Sequence, residues 1–278
     1  SFEKAMKDCE LVIHTASPFL IGKTSNADKQ FIKPALEGTL NVLNTANKIH
    51  SVKRIVLTSS TAATYGDAID AKDLPNRTLN ETHWNTSSNS SHQAYSYSKT
   101  IAEKEAWKIA KAQQRWDLVV INPGFVLGPS LSKRIDSASI DFMRQLVKGQ
   151  MKAGVPDMYL PTVDVRDVAL AHILAGTIAS ASGRHLVVAE TMNVAELAKR
   201  LKKTQKDSIA VSSKVIPKAI MYIAGPIMGF SFKYVKRNIG IPLNFDNSYS
   251  ISDLGVEYRP IETTLAEHVE QLRRDQLV

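Results

Sequence analysis

The stretch Val52-Lys53-Arg54-Ile55-Val56-Leu57-Thr58-Ser59-Ser60 runs through aliphatic residues and ends in three hydroxyls. A short continuous apolar run of this kind predicts a strand covered on both faces, as in a parallel sheet. Two other runs share the pattern. Leu11-Val12-Ile13-His14 leads into Thr15-Ala16-Ser17-Pro18, where proline forces the chain out of the ladder, and Leu118-Val119-Val120-Ile121-Asn122 leads into Pro123-Gly124. Helical spacing fills the intervals. From Ala27 to Ile49, Phe31, Ala35, Leu36, Leu40, Leu43 and Ala46 form one stripe. Gly38 within it costs about 1 kcal/mol of helix propensity, which predicts close packing there. Ala94 to Arg115 is a second amphipathic helix. Strand, helix, strand, helix, strand is the rhythm of an α/β protein with a parallel sheet. Ligands of such sheets bind beyond the carboxyl ends of the strands. Ala16-Ser17, Ser59-Ser60 and Pro123-Gly124 all stand there.

The 278 residues, 44% hydrophobic and 22% charged, suffice for one large domain with a small lobe. Cys9 is the single cysteine, so no internal disulfide forms, in keeping with a reducing, cytoplasmic setting. No apolar run reaches the length of a membrane span. The longest candidate, Ala219 to Phe232, is interrupted by Gly225, Pro226 and Gly229 and reads as buried helix and loop. The net charge of +8 raises the question of an anionic partner. The cations cluster only at Lys199 to Lys203 and Lys233 to Arg237, without a basic arm or RNA-binding aromatics, and read as solvated helix faces. Nucleic acid and membrane are therefore not expected partners. The seven histidines lack the HxxxH and carboxylate spacings of a metal site.

Further along, Thr61 to Gln93 is a long polar stretch and a candidate substrate loop. Helices are expected at Ser137 to Gly149, Val168 to Ala179, Met192 to Lys203 (capped by Asn193) and Thr264 to Leu277, with strands at Thr162 to Val165 and Arg184 to Ala189. Arg166-Asp167 is expected to pair and cap a helix, and His14 to be a satisfied core histidine. The expected division is a dinucleotide-binding core over 1–190 and a smaller substrate lobe over 191–278, interleaved with 129–165.

The chemistry points to Tyr95-Ser96-Tyr97-Ser98-Lys99. Residues i and i+4 share a helix face, so the Lys99 ammonium lies over the Tyr95 phenol and is expected to lower its pKa. Tyr97 has Ile101 at i+4 and lacks that cation. A hydroxyl from the Ser59-Ser60 strand end completes a site for proton transfer to a carbonyl or from an alcohol.

Taken together these blocks resemble the extended short-chain dehydrogenase/reductases of the NAD-dependent epimerase/dehydratase superfamily, and within them the dihydroflavonol 4-reductase and NADPH-dependent carbonyl reductase branch. The resemblance is carried by Val12 to Phe19, Glu37 to Leu43, Val52 to Ser60, Tyr95 to Lys99, Asn122 to Pro129, Val163 to Ala169 and Leu254 to Pro260. It implies a Rossmann-like sheet with flanking helices and a small C-terminal substrate lobe. It also implies a catalytic Ser60, Tyr95 and Lys99, with Ser59 as the competing serine. The cofactor, NADPH or NADH with no metal, would meet Thr15, Ala16, Ser17, Thr58, Tyr95, Lys99, Pro123, Gly124 and Val126. A small carbonyl or alcohol would be the substrate, and a homodimer would form through the 30–48 and 95–115 helices.

Two departures qualify this picture. No GxGxxG or GxxGxxG occurs among the 13 glycines, and the chain opens near the family's fourth strand. Three N-terminal strands are thus expected to be missing, which would leave strand 11–16 an apolar sheet edge. On the substrate side, Ala63-Thr64-Tyr65-Gly66 replaces the Asn-bearing turn of flavonoid reductases, and Ser91-His92-Gln93-Ala94 lacks the Trp- and Cys-rich signature of cinnamoyl-CoA reductases. The expected reaction is reduction of a ketone or aldehyde. The alternatives are an epimerase, dehydratase or hydroxysteroid dehydrogenase on the same fold, or a truncated non-catalytic binding protein.

Overall fold

The computed structural model describes residues 2–17, 26–133, 135–206 and 208–278. Its helices are α1 (Glu3–Met6), α2 (Lys33–Ala46), α3 (Ala94–Lys111), α4 (Ala138–Val147), α5 (Val165–Thr177), α6 (Val194–Thr204), α7 (Lys218–Ala224), α8 (Phe232–Asn238), α9 (Ser248–Leu254) and α10 (Ile261–Arg274). Its strands are β1 (Leu11–His14), β2 (Arg54–Thr58), β3 (Thr78–Leu79), β4 (Asp117–Pro123), β5 (Phe125–Leu127), β6 (Val155–Pro156), β7 (Tyr159–Asp164), β8 (Gly183–Val187), β9 (Glu190–Asn193), β10 (Val215–Ile216) and β11 (Asn244–Phe245). The main sheet has the order β1-β2-β4-β8 and is parallel throughout, with Ile55 opposite Leu118 and Val120 opposite Arg184.

Alternation along the strands builds two cores. Ile55, Leu57, Leu118 and Val120 face α2 and α3, where they meet Val42, Leu43, Ala46 and Ala106. Val56, Val119 and Ile121 face the other way, onto Val168, Ala171 and Ala175 of α5. Successive side chains point to opposite faces, so a central strand must be apolar at every position to bury both. A third cluster joins Leu127, Met143, Leu146, Leu197, Leu201, Leu265 and Leu272, drawn from β5, α4, α6 and α10, beside the β5-β7-β9 sheet.

Several sequence expectations need correction. β1 is not covered on both faces. It stands at the edge of the described sheet, and Ile13 is 42% exposed. Among the described strands β1 pairs on one side only, with β2, and the turn at Pro18 lies outside the described residues. Gly38 is not closely packed, since a Cβ there would meet no atom within 4 Å. Ala219 to Phe232 is not buried. Met221 is buried, but Ile223 on another face of α7 and Ile227 in the turn beyond the helix are exposed. Arg166 and Asp167 do not pair with each other. Arg166 binds Asp164 and Glu267, Asp167 binds Arg259, and Asp164 caps α5 by accepting from the Arg166 amide. Helix α5 therefore begins at Val165 rather than Val168. The expected cap of α6 is present, with Asn193 accepting from the Ala195 amide at 2.8 Å.

Nor is Arg237 part of a solvated basic face. It donates from Nε to Asp67 and from Nη2 to Asp70. Asp67 is fully buried and also accepts from His92 and from Asn238. These donors outweigh burial and hold its carboxyl below the usual range. The cluster fastens α8 to the segment that enters α3. Among the described residues, no helix is long and apolar enough to cross a membrane.

Two measurements test this packing. A Cβ on Gly124 would stand 2.3 Å from the Pro161 carbonyl oxygen, a backbone atom that cannot yield cheaply. Gly124→Ala is therefore expected to lower unfolding free energy by about 1–3 kcal/mol in urea titration. Gly38→Ala should leave it unchanged or raise it by up to about 1 kcal/mol. The second concerns acid. His268 accepts from the Gly128 amide at 3.1 Å, and burial lowers its pKa to about 4. The native state then binds fewer protons than the unfolded chain between pH 6.5 and 4, so stability falls as pH drops through that window. The contribution of His268 is at most about 3 kcal/mol. His268→Gln should flatten this part of the stability profile.

Candidate active site

Parallel strands bring their carboxyl ends to one edge. There the chain after β2 turns into a short 3-10 turn, Thr61–Ala63, capped by Ser60, whose Oγ accepts from the Ala62 amide at 3.1 Å. Helix α3 enters the same edge. Its first turn is set by Gln93, which adopts a left-handed conformation (φ 56°) and donates from Nε2 to the Gly66 carbonyl at 2.9 Å. The fit is tight enough that a Cβ on Gly66 would lie 2.3 Å from Ser87 Oγ. Asn85 reaches Thr100 Oγ1 at 3.0 Å and ties the long polar segment to the helix.

Three of the expected catalytic groups come together here. The Tyr95 phenol is hydrogen-bonded to the Ser60 side chain. Lys99 is 6% exposed and donates from Nζ to the Thr58 carbonyl at 3.3 Å. Burial lowers its pKa to about 8, against an upward pull from Glu103. Tyr95 departs from expectation. Burial raises its phenol to about 12, opposed only by the Ser60 hydrogen bond. The cation one turn away does not win, because the phenolate would have to form out of water. The two serines of the pair separate in role. Ser59 turns away from Tyr95 and donates to Glu103 Oε2 at 2.5 Å.

A small pocket, with room for about one water molecule, is lined by His14, Ala16, Ser17, Thr58, Lys99 and Glu103 among others. It adjoins a groove of about 640 Å³ that follows β1 past Thr15, Ala16 and Ser17 to Pro34 and Gly38. His14 is buried, and burial with the nearby Lys99 charge lowers its pKa. Thr58 Oγ1 is occupied by His172 Nε2 at 2.6 Å, whose Nδ1 donates to the Val168 carbonyl. Pro123, Gly124 and Val126 line neither cavity. Gly124 packs on the Pro161 backbone and Val126 pairs with Val163.

The sequence reading missed the group beneath the pair. Glu103 lies at i+4 from Lys99 and i+8 from Tyr95, and it is 1% exposed. Its carboxylate takes Arg184 Nε at 2.5 Å, Ser59 Oγ at 2.5 Å, Asn122 Nδ2 at 2.8 Å and Trp107 Nε1 at 3.3 Å. Helical spacing could have found Glu103. Nothing local announces Arg184, which is 81 residues distant. Among the described residues, no group of three or more His, Cys, Asp or Glu side chains is arranged to hold a metal ion.

Comparison with known proteins agrees with this arrangement. The NAD dependent epimerase/dehydratase family matches residues 1–189. The cinnamoyl-CoA reductase CAD2 of Medicago truncatula is 34% identical over 277 residues, covering 98% of this chain and 76% of that protein. The tetraketide alpha-pyrone reductase 1 of Arabidopsis thaliana is 33% identical over 265 residues, covering 94% of this chain and 72% of that one. Among solved structures, yeast methylglyoxal/isovaleraldehyde reductase Gre2 complexed with NADPH superposes with a TM-score of 0.79 at 26% identity, over 100% of this chain and 80% of its own. On its sequence, its parallel sheet and the residues gathered at the carboxyl edge, the chain belongs to the NAD dependent epimerase/dehydratase family, in the branch that holds these reductases.

Proposed function

We propose that this chain reduces a ketone or aldehyde to an alcohol with NADPH, using Ser60, Tyr95 and Lys99. The observation that carries the reading is the Tyr95 phenol hydrogen-bonded to Ser60, one helical turn from the buried Lys99. At neutral pH the phenol is a proton donor. An epimerase, dehydratase or hydroxysteroid dehydrogenase would use the same phenol in the opposite sense, so the substrate panel, not the site, separates these readings.

A bound nicotinamide cofactor would supply hydride. The residues present fit its nicotinamide-ribose end. Lys99 and Ser17 line the small pocket, together with Ala16 and Thr58. An ammonium and a hydroxyl suit sugar hydroxyls, and the groove past Thr15 continues from the same place. Support for NADPH comes from the yeast relative's complex.

The chain's own residues then divide the work. Ser60 Oγ accepts from the Ala62 amide, and its hydroxyl, now paired with Tyr95, would turn to polarise the substrate carbonyl. The carbonyl oxygen sits between Ser60 and Tyr95 and accepts from both. Negative charge grows on that oxygen as its carbon is reduced, and Tyr95 gives up its proton there. Lys99, still protonated at neutral pH with a pKa near 8, stabilises the phenolate left behind.

The test is NADPH consumption with a panel of ketones and aldehydes. Tyr95→Phe should abolish turnover, by at least about 10²-fold, and Ser60→Ala should lower kcat by about 10²-fold or more. Both variants should keep the wild-type circular dichroism spectrum. The rate is expected to hold through neutral pH and to fall as pH rises through about 8, where Lys99 loses its proton. Full activity in Tyr95→Phe, or turnover of alcohols alone, would exclude the reading.

A further inference from the structure

We propose that Glu103 is a positioning residue of the proton-transfer site, fixing the serine strand end beside Tyr95 and holding Lys99 in its charged form. The inference rests on the reading of Tyr95 and Lys99 as a proton-transfer pair.

The geometry comes first. Tyr95, Lys99 and Glu103 follow one another at i, i+4 and i+8, so they form a single stripe on α3. The Glu103 side chain is buried and its two oxygens meet four donors. Arg184 is a cation, Asn122 and Trp107 offer N–H donors, and Ser59 offers a hydroxyl, a set that suits a carboxylate. Three of the donors come from adjacent strands of the main sheet. Ser59 follows β2, Asn122 is in β4 and Arg184 is in β8. One anion therefore fixes the height and rotation of α3 over the strand ends. Ser59 is held away from the substrate side, which leaves its neighbour Ser60 to face Tyr95.

Arg184 extends the device. Its Nη1 donates to the Glu81 carbonyl at 2.6 Å and the His83 carbonyl at 2.7 Å, and its guanidinium lies 3.8 Å from the centre of the Trp84 ring. The candidate substrate segment is thus clamped to the same carboxylate that lies one turn below Lys99.

The charges around Lys99 can be named. On its own helix it faces Tyr95 and Glu103; from β1 it faces His14, a neutral base; from β2 it meets the Thr58 carbonyl, whose side chain is bound to His172 of α5. Glu103 is the one anion among them and acts on Lys99 by raising its pKa against burial. Without that anion the ammonium gives up its proton at lower pH, and the phenolate loses its counter-charge in the range where the enzyme works.

Glu103→Gln keeps the shape of the side chain and removes the charge. Glu103→Gln/Arg184→Met removes both members of the buried pair and leaves no uncompensated ion. The readout is the titration of Lys99 by NMR of protein labelled with ¹³C at the lysine Cε, the resonance assigned by its loss in Lys99→Arg. The wild-type midpoint is expected near pH 8. In Glu103→Gln, and in the double variant should the single one not fold, the midpoint should fall by half a pH unit or more. The alkaline limb of carbonyl reduction should move down with it. A merely structural carboxylate would lower thermal stability and leave the midpoint in place. An unmoved midpoint, or failure of both variants to fold, overturns the proposal. The two readings fail separately. A moved midpoint in a protein that reduces no carbonyl keeps the role of Glu103 and removes carbonyl reduction. An active wild type with an unmoved midpoint does the reverse.

Discussion

A single buried carboxylate ties this structure together. Glu103 accepts from donors on three neighbouring strand segments and from Trp107 one turn further along its own helix. An ionised carboxylate in a dry interior is costly unless every lone pair is met, and a half-met one is worse than an apolar side chain. The sheet therefore cannot slide against α3 without leaving charge uncompensated. That constraint is directional, unlike the apolar contacts of Leu43, Ala46 and Ala106, which permit small shifts at little cost. The lysine that would serve in proton transfer sits between this anion and the phenol, so the support of the fold and the electrostatics of the site are one arrangement.

A second buried anion does similar work at the other side of the edge. Asp67 collects His92, Arg237 and Asn238, and its neighbour Asp70 collects Gly66, Ser87 and Arg237. Helix α8 is distant in sequence from the segment before α3, and these polar contacts bring the two together. Both anions act on the entry to α3, one from below through Glu103 and one from the side through His92. The position of Tyr95 is over-determined as a result, which suits a group that must meet a carbonyl oxygen within hydrogen-bond reach.

The electrostatics of Tyr95 also depart from the sequence reading. Sequence spacing alone placed a cation beside a phenol and argued for an acidic tyrosine. In the folded chain Tyr95 is enclosed, Lys99 spends its proton on the Thr58 carbonyl, and burial raises the phenol. The balance between desolvation and a neighbouring charge depends on how much water remains, and spacing on a helix carries no information about that.

The alternation of apolar runs with helical stripes was enough to determine a parallel α/β sheet, because the two periodicities are local properties of the chain. It also placed Ser60, Tyr95 and Lys99 at one edge, since parallel strands all end on the same side. What the tertiary structure alone decided is the partner of each of them. Ser59 and Ser60 are indistinguishable as letters, and the fold gave one to Glu103 and the other to Tyr95. Arg184 and Arg259 stood alone in the sequence and Arg237 stood in a basic cluster, until they met Glu103, Asp167 and Asp67 across 81, 92 and 170 residues. Gly38 was expected to pack closely and borders open space, while Gly124, expected at a strand-end turn, bears on a backbone carbonyl. Contacts of that range are set by which surfaces the collapsed sheet and helices bring together, and no local pattern in the sequence specifies them.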